Sequence, residues 1–216
     1  MHPALLICGA ALCGAGAGAA SIPFVNRCLI KLEKNKLSPR ACAVFICLPA
    51  LLWAITFAVL GWSANAILLG LAAAALFSLS WIDWCTYEIP FGYNVFIFAL
   101  GVLALAFDLP HWYEYVIGFF ALSLPLLLLF YLSKGAAIGG GDVKLMAACG
   151  MLLGWKLVLL GFVLGCIIGS VVHLVRMKAS GEKHVLAMGP YLSIGVFLSA
   201  LFGNAVISWY LSMLGF

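Results

Sequence analysis

Two aspartates in this sequence are placed where charge is costly. Asp83 ends an apolar run in "SLSWIDWCTYEIP", and Asp142 opens another in "AAIGGGDVKL". The chain has only seven acidic residues in 216, so each can be judged by its surroundings. Glu33 and Glu182 sit among lysines and read as solvated charge partners, while Asp108 and Glu114 belong to a polar turn, "DLPHWYE". Asp83 and Asp142 are left with apolar neighbours, where an ionisable group is retained for pairing or for function. Two carboxyls brought within about 3 Å share one proton, because both cannot ionise at that separation. The carboxylate then acts as general base on a water, and the protonated partner donates to the carbonyl oxygen under attack. That is the acid–base pattern of aspartyl-protease chemistry.

The residues around Asp142 suit this reading. Gly139, Gly140 and Gly141 precede it and leave room for an extended substrate strand to approach. Lys144 follows two residues later, as a candidate to steady the acidic site or hold a substrate carbonyl. Structural alternatives stand beside it: Asp142 as a helix N-cap after a loop, and Asp83 as an interfacial charge closing a helix. A phosphate loop fits poorly, since "GGGDVK" has no Gly-Lys-Ser/Thr and no strand before it.

The elements that must position these residues follow from composition. Apolar residues make up 66% of the chain and charged ones 8%, against roughly a quarter charged in a soluble domain. Apolar runs of about 20 residues recur, the mark of transmembrane helices. The expected fold is all-α, a polytopic transmembrane bundle of about eight spans. They are placed near 4–25, 41–60, 64–82, 93–107, 115–132, 142–153, 156–177 and 190–214. The linkers are short, which predicts a single integral membrane domain over 1–216. The N-terminal run reads as a retained first helix, because the basic segment follows it rather than precedes it.

Positive charge orients the bundle. Arg27, Lys31, Lys34, Lys36, Arg40, Lys134, Lys144, Arg176, Lys178 and Lys183 fall on one side of an eight-span layout, and Lys156 alone on the other. The bias makes the crowded side cytoplasmic and both termini external. Merging the sixth and seventh spans would put the last basic loop outside, so the short sixth span is kept. Asp83 and Asp142 then lie at one depth, the cytoplasmic membrane edge. The net charge of +4 is no sign of nucleic-acid binding. Eight cysteines show no C-x-x-C spacing, and Cys8, Cys13, Cys42, Cys47, Cys149 and Cys166 read as packing residues inside apolar runs. Cys28 and Cys85 lie nearer the cytoplasmic edge, where thiols stay reduced. No cofactor or metal is expected.

At these motifs the chain resembles the type IV prepilin peptidase family, within the membrane aspartyl proteases that carry a G-x-G-D motif. The motif stands as Gly139-Gly140-Gly141-Asp142, extended by Val143-Lys144-Leu145. The family's first aspartate, followed six residues later by a hydrophobic-proline pair, is matched by Asp83 with Ile89-Pro90. "GPYLSIG", Gly189–Gly195, is similar to the segment opening the family's last helix. The resemblance runs from about Ile82 to the C-terminus. It implies a bacterial inner-membrane endopeptidase with Asp83 and Asp142 catalytic. Its substrates would be type IV prepilins or pseudopilins, cut after a glycine at the cytoplasmic membrane edge, just before an apolar helix. The long form of the family has a cytoplasmic loop with paired C-x-x-C motifs that bind zinc, tied to N-methylation. Here Ser21, Asn26 and Arg27 stand at approximate spacing, and the following loop has no cysteine pair. That puts methylation in doubt and predicts a compact, zinc-free peptidase.

Lesser features have plainer readings. Gly9, Gly14, Gly16 and Gly18 suit close helix packing; His173 reads as a hydrogen-bonded packing residue rather than a proton relay; Glu88 reads as solvated. Trp62, Trp81, Trp84, Trp112, Trp155 and Tyr210 read as interfacial anchors. The rival function is a small proton-coupled transporter using the same two carboxylates, but the spans offer almost no further ionisable groups to carry a proton across.

Overall fold

In a computed structural model, residues 3–180 and 186–215 are described. Lys183 and Glu182 of the third basic loop lie outside them. The described residues form eight α-helices and one short 3-10 turn. The helices are α1 (Pro3–Lys31), α2 (Pro39–Leu60), α3 (Ala64–Thr86), α4 (Phe91–Phe107), α5 (Trp112–Leu132), α6 (Gly140–Leu153), α7 (Trp155–Ser180) and α8 (Gly189–Met213). The all-helical expectation holds, and each expected span corresponds to one helix. Six are long and apolar enough to cross a membrane; α4, with 17 residues, and α6, with 14, are shorter.

The chain divides into two compact units, Met1–Phe96 and Ile97–Phe216. In the first, α1 and α2 form a hairpin of close backbones. A Cβ at Gly14 would lie 2.6 Å from the Pro49 carbonyl oxygen, and one at Gly18 would strike the Phe45 carbonyl. Gly9 and Gly16 face open space, so only half of the expected glycine set serves packing here. Asn26 holds the hairpin's loop: its Oδ1 accepts from the Leu37 backbone N–H at 2.8 Å. Ser38 then caps α2 by accepting from Ala41 N at 3.2 Å, with Pro39 in the first turn, where its missing N–H costs nothing. Phe45 is fully buried against Phe77 and Trp81 of α3, and the Trp53 indole lies over Gly70.

The second unit is built on glycine seams. α5 and α6 run antiparallel, with Gly118 against Gly150 and Gly154 at one end and Phe130 beside Gly140 at the other. α7 and α8 repeat the device through Gly161, Gly165 and Gly195, and Ser199 Oγ donates to the Leu157 carbonyl at 2.6 Å. Such seams let backbones approach where lipid supplies no hydrophobic drive for association. Gly154 alone separates α6 from α7. Its φ of +77° is a left-handed conformation that favours glycine, and its N–H closes α6 on the Gly150 carbonyl at 2.9 Å. The short sixth helix is thus distinct from the seventh.

Of the six cysteines expected to pack, Cys149 is buried, Cys42 and Cys166 are half-buried, and Cys8, Cys13 and Cys47 lie exposed on their helices. The eight thiols are all free.

Candidate active site

Asp83 and Asp142 are the only charged side chains buried among the described residues, at 5% and 8% exposure. In the first unit, Asp83 stands in the last turn of α3, between fully buried Ile82 and exposed Trp84. The helix stops just beyond it. Tyr87 takes a left-handed conformation (φ 57°, ψ 25°) and donates its N–H to the Asp83 carbonyl at 2.7 Å. Thr86 Oγ1 donates to the Ile82 carbonyl at 2.8 Å, and Glu88 N reaches the same hydroxyl at 3.3 Å. These bonds absorb the carbonyls and N–H groups that a helix end leaves open, and Ile89-Pro90 then leads into α4. Asp83 is therefore set three residues before a firmly ended helix, and Glu88 is exposed as expected.

In the second unit, Asp142 lies in the first turn of α6. The N-cap is Gly139, not Asp142, which corrects the capping alternative: the carboxylate is inside the helix. The helix macrodipole favours negative charge in this turn. The carboxylate folds back toward the cap, and a Cβ on Gly139 would sit 3.1 Å from Asp142 Oδ2. Gly139 has φ −75° and ψ 141°, ordinary extended values, and neither Gly140 nor Gly141 has a positive φ. At Gly139, then, the value of glycine is its missing side chain rather than unusual backbone angles. Lys144 is exposed while Asp142 is buried, as expected for helix positions two apart, which do not share a face.

The antiparallel register fixes the depth of Asp142 on its own scaffold. Gly140 lies beside Phe130, 3.6 Å from its ring on a Cβ basis. Two residues further along α6, Asp142 falls level with Leu128 of α5. Leu132, the end of α5, is then about 6 Å beyond it at 1.5 Å per residue. The carboxylate is held about one helical turn in from the end of its neighbour.

The Gly189–Gly195 segment forms the start of α8, with Tyr191 and Ser193 buried. Their hydroxyls have no hydrogen-bond partner among the described residues. Hydroxyls on an apolar helix were the available sequence signal for these two, and it was passed over. His173 is half-buried on α7.

The type IV leader peptidase family matches residues 70–174, a span holding both aspartates and the three glycines. Several curated relatives named prepilin leader peptidase/N-methyltransferase are similar to the chain. That of Bacillus subtilis is 30% identical over 125 residues, 56% of this chain and 50% of the relative. That of Pseudomonas aeruginosa is 27% identical over 162 residues, 72% of this chain and 55% of the relative. That of Legionella pneumophila is 30% identical over 96 residues, 44% and 33%. The chain thus spans about half or less of the length of these relatives. No solved structure matches it significantly. The match to the type IV leader peptidase family over residues 70–174 takes in both buried carboxyls.

Proposed function

We propose that the chain is a multi-pass membrane aspartyl endopeptidase that removes the cytoplasmic leader from type IV prepilins or pseudopilins. It cuts after a glycine at the cytoplasmic edge of a bacterial inner membrane, with both termini external. The observation that carries this reading is that the two buried charged side chains among the described residues are Asp83 and Asp142, both inside the family segment. Burying a carboxyl is costly, and each is kept about a turn from a helix end, where a peptide entering the membrane is within reach.

The mechanism requires the two carboxyls to come within hydrogen-bond reach of one water and one scissile carbonyl. One takes a proton from the water as it attacks, and the other gives a proton to the carbonyl oxygen. The first then passes that proton to the leaving amine as the C–N bond breaks, while the second takes back a proton from the hydroxyl of the collapsing tetrahedral intermediate. For a coupled pair the roles belong to the dyad rather than to either residue. Gly139, Gly140 and Gly141 admit the substrate backbone beside Asp142, and Lys144 holds a substrate carbonyl from the adjacent face. The partners are the precursor protein and the bilayer, and we assign the hydrolytic step alone, with no metal.

The test is cleavage of a purified prepilin in detergent. The wild-type protein should shorten the precursor. Asp83→Asn and Asp142→Asn should each lose at least about 10³-fold in rate, as members of one catalytic unit do. Cleavage persisting in both variants would remove the dyad from the mechanism.

A further inference from the structure

The hairpin of α1 and α2 ends in a tip crowded with positive charge. Between Arg27 and Arg40 the chain carries five cations, Arg27, Lys31, Lys34, Lys36 and Arg40, against one acid, Glu33. All six side chains are exposed, and none of the five cations is ion-paired among the described residues. Both helices are long and apolar enough to cross a membrane, which puts the tip between them at a membrane surface.

The tip is a built surface rather than a loose tail. Glu33 ends α1 in a left-handed conformation (φ 58°), and the Lys34 N–H reaches back to the Leu29 carbonyl at 2.8 Å. Leu37 N donates to Asn26 Oδ1 at 2.8 Å, and Ser38 caps α2. Cations carried on an ordered backbone have less freedom to lose when they meet a ligand.

What lies beside the cations selects their partner. On α2, Arg40 shares an exposed face with Val44, Cys47 and Leu51, at helical spacing. On α1, Arg27 shares one with Gly16 and Pro23, and Ile30 is exposed next to it. From Arg40 to Leu51, and from Gly16 to Arg27, is about 16 Å at 1.5 Å per residue, the depth of one leaflet of a hydrocarbon layer of about 30 Å. An acidic protein would match the charge but not the apolar strips below it. A phospholipid matches both, and five cations to one acid favour a head group of net negative charge. We propose that the α1–α2 tip is a binding surface for anionic phospholipid, with its cations on the phosphates and the acyl chains along the exposed strips. Such binding needs only that α1 and α2 span the bilayer, and it does not depend on the peptidase reading.

Site-resolved lysine labelling tests it. The protein is reconstituted in vesicles of phosphatidylcholine alone, or of phosphatidylcholine with one third phosphatidylglycerol, and treated with a water-soluble acylating reagent. Modified lysines are read by mass spectrometry. Phosphatidylglycerol should slow the labelling of Lys31, Lys34 and Lys36 about fivefold, the worth of one cation at an anionic surface. Lys134 and Lys178, exposed on other elements, are internal standards and should slow much less. Arg27→Gln/Arg40→Gln keeps all three reporters and should restore most of their labelling. Salt near 1 M, where the screening length is about 3 Å, should do the same in the unsubstituted protein. Equal slowing at all five lysines would reduce the effect to general surface potential and overturn the binding surface. So would no slowing at all. Protection in pure phosphatidylcholine by inorganic phosphate, or by polyglutamate, as strong as that by phosphatidylglycerol would overturn it too, making the occupant a free anion or an acidic protein.

Discussion

Gly150→Ala probes the scaffold that holds Asp142. A Cβ at this position would strike the Gly118 carbonyl oxygen. It would also lie 2.5 Å from the Gly118 carbonyl carbon and 3.1 Å from the Phe119 nitrogen. All three are backbone atoms of α5, so no side chain can swing away. Restoring contacts of about 3.5 Å requires the helices to part by at least about 1 Å. Overpacking of this kind costs about 1–3 kcal/mol, offset by up to about 1 kcal/mol of helix propensity gained over glycine. The expected net is a loss of roughly 1–2 kcal/mol, read as an earlier unfolding midpoint by tryptophan fluorescence in detergent. Because α6 carries Asp142 in its first turn, the same 1 Å displacement should cut the cleavage rate by up to about 10²-fold. Gly16→Ala is the control: its added Cβ meets nothing within 4 Å, so only the propensity gain remains, and the protein should be unchanged or slightly more stable. If both variants behave alike in unfolding and cleavage, the seam does not position α6 and the reasoning fails.

Three further outcomes are expected. Gly139→Ala should leave the fold intact and reduce cleavage severalfold, because its methyl would press on Asp142 Oδ2 at 3.1 Å; equal kcat would show that the carboxylate is free to reorient. Asn26→Ala removes the acceptor for Leu37 N and should expose the loop over residues 32–38 to limited proteolysis, with cutting no faster than wild type counting against that role. Asp108 accepts from His111 Nδ1 at 2.8 Å and from Tyr115 Oη at 3.1 Å. The His111 contact, chiefly, holds its carboxyl below the usual range. A depressed carboxyl contributes stability above its unfolded pKa of about 3.9 and loses it as pH falls through the folded value. Asp108→Asn should therefore lower the melting midpoint at pH 7, with the gap to wild type narrowing as pH falls below about 3.9, and a constant gap would contradict this.

Much of the fold was legible because hydrocarbon and punctuation are strong signals. Gly61, Gly154 and the Ser63 cap mark helix ends where the sequence changes character, and α6 was separable from α7 by charge placement alone. Boundaries erred where no breaker stands: α1 was expected to end at Val25 and runs to Lys31, since arginine and lysine continue a helix well. Pro23, Pro49 and Pro125 lie inside helices without ending them. The two aspartates stood out because so few residues are charged. Gly139 was read as leaving room for a substrate strand, and the structure puts the Asp142 carboxylate beside that room.

The bare-backbone contact between α5 and α6 also limits how this unit can move. Interdigitated side chains can change rotamer and let helices slide, but Gly118 and Gly150 offer no such freedom. Such a contact disfavours shear along the seam, so α5 and α6 are expected to travel together. The segment over 133–139, mostly exposed and without regular helix, lies next to Asp142 in the chain. On the proposed reading, a substrate would meet the carboxylate on a close-packed pair of helices and the irregular segment beside it, so adaptability and precision would be divided between neighbouring stretches of chain.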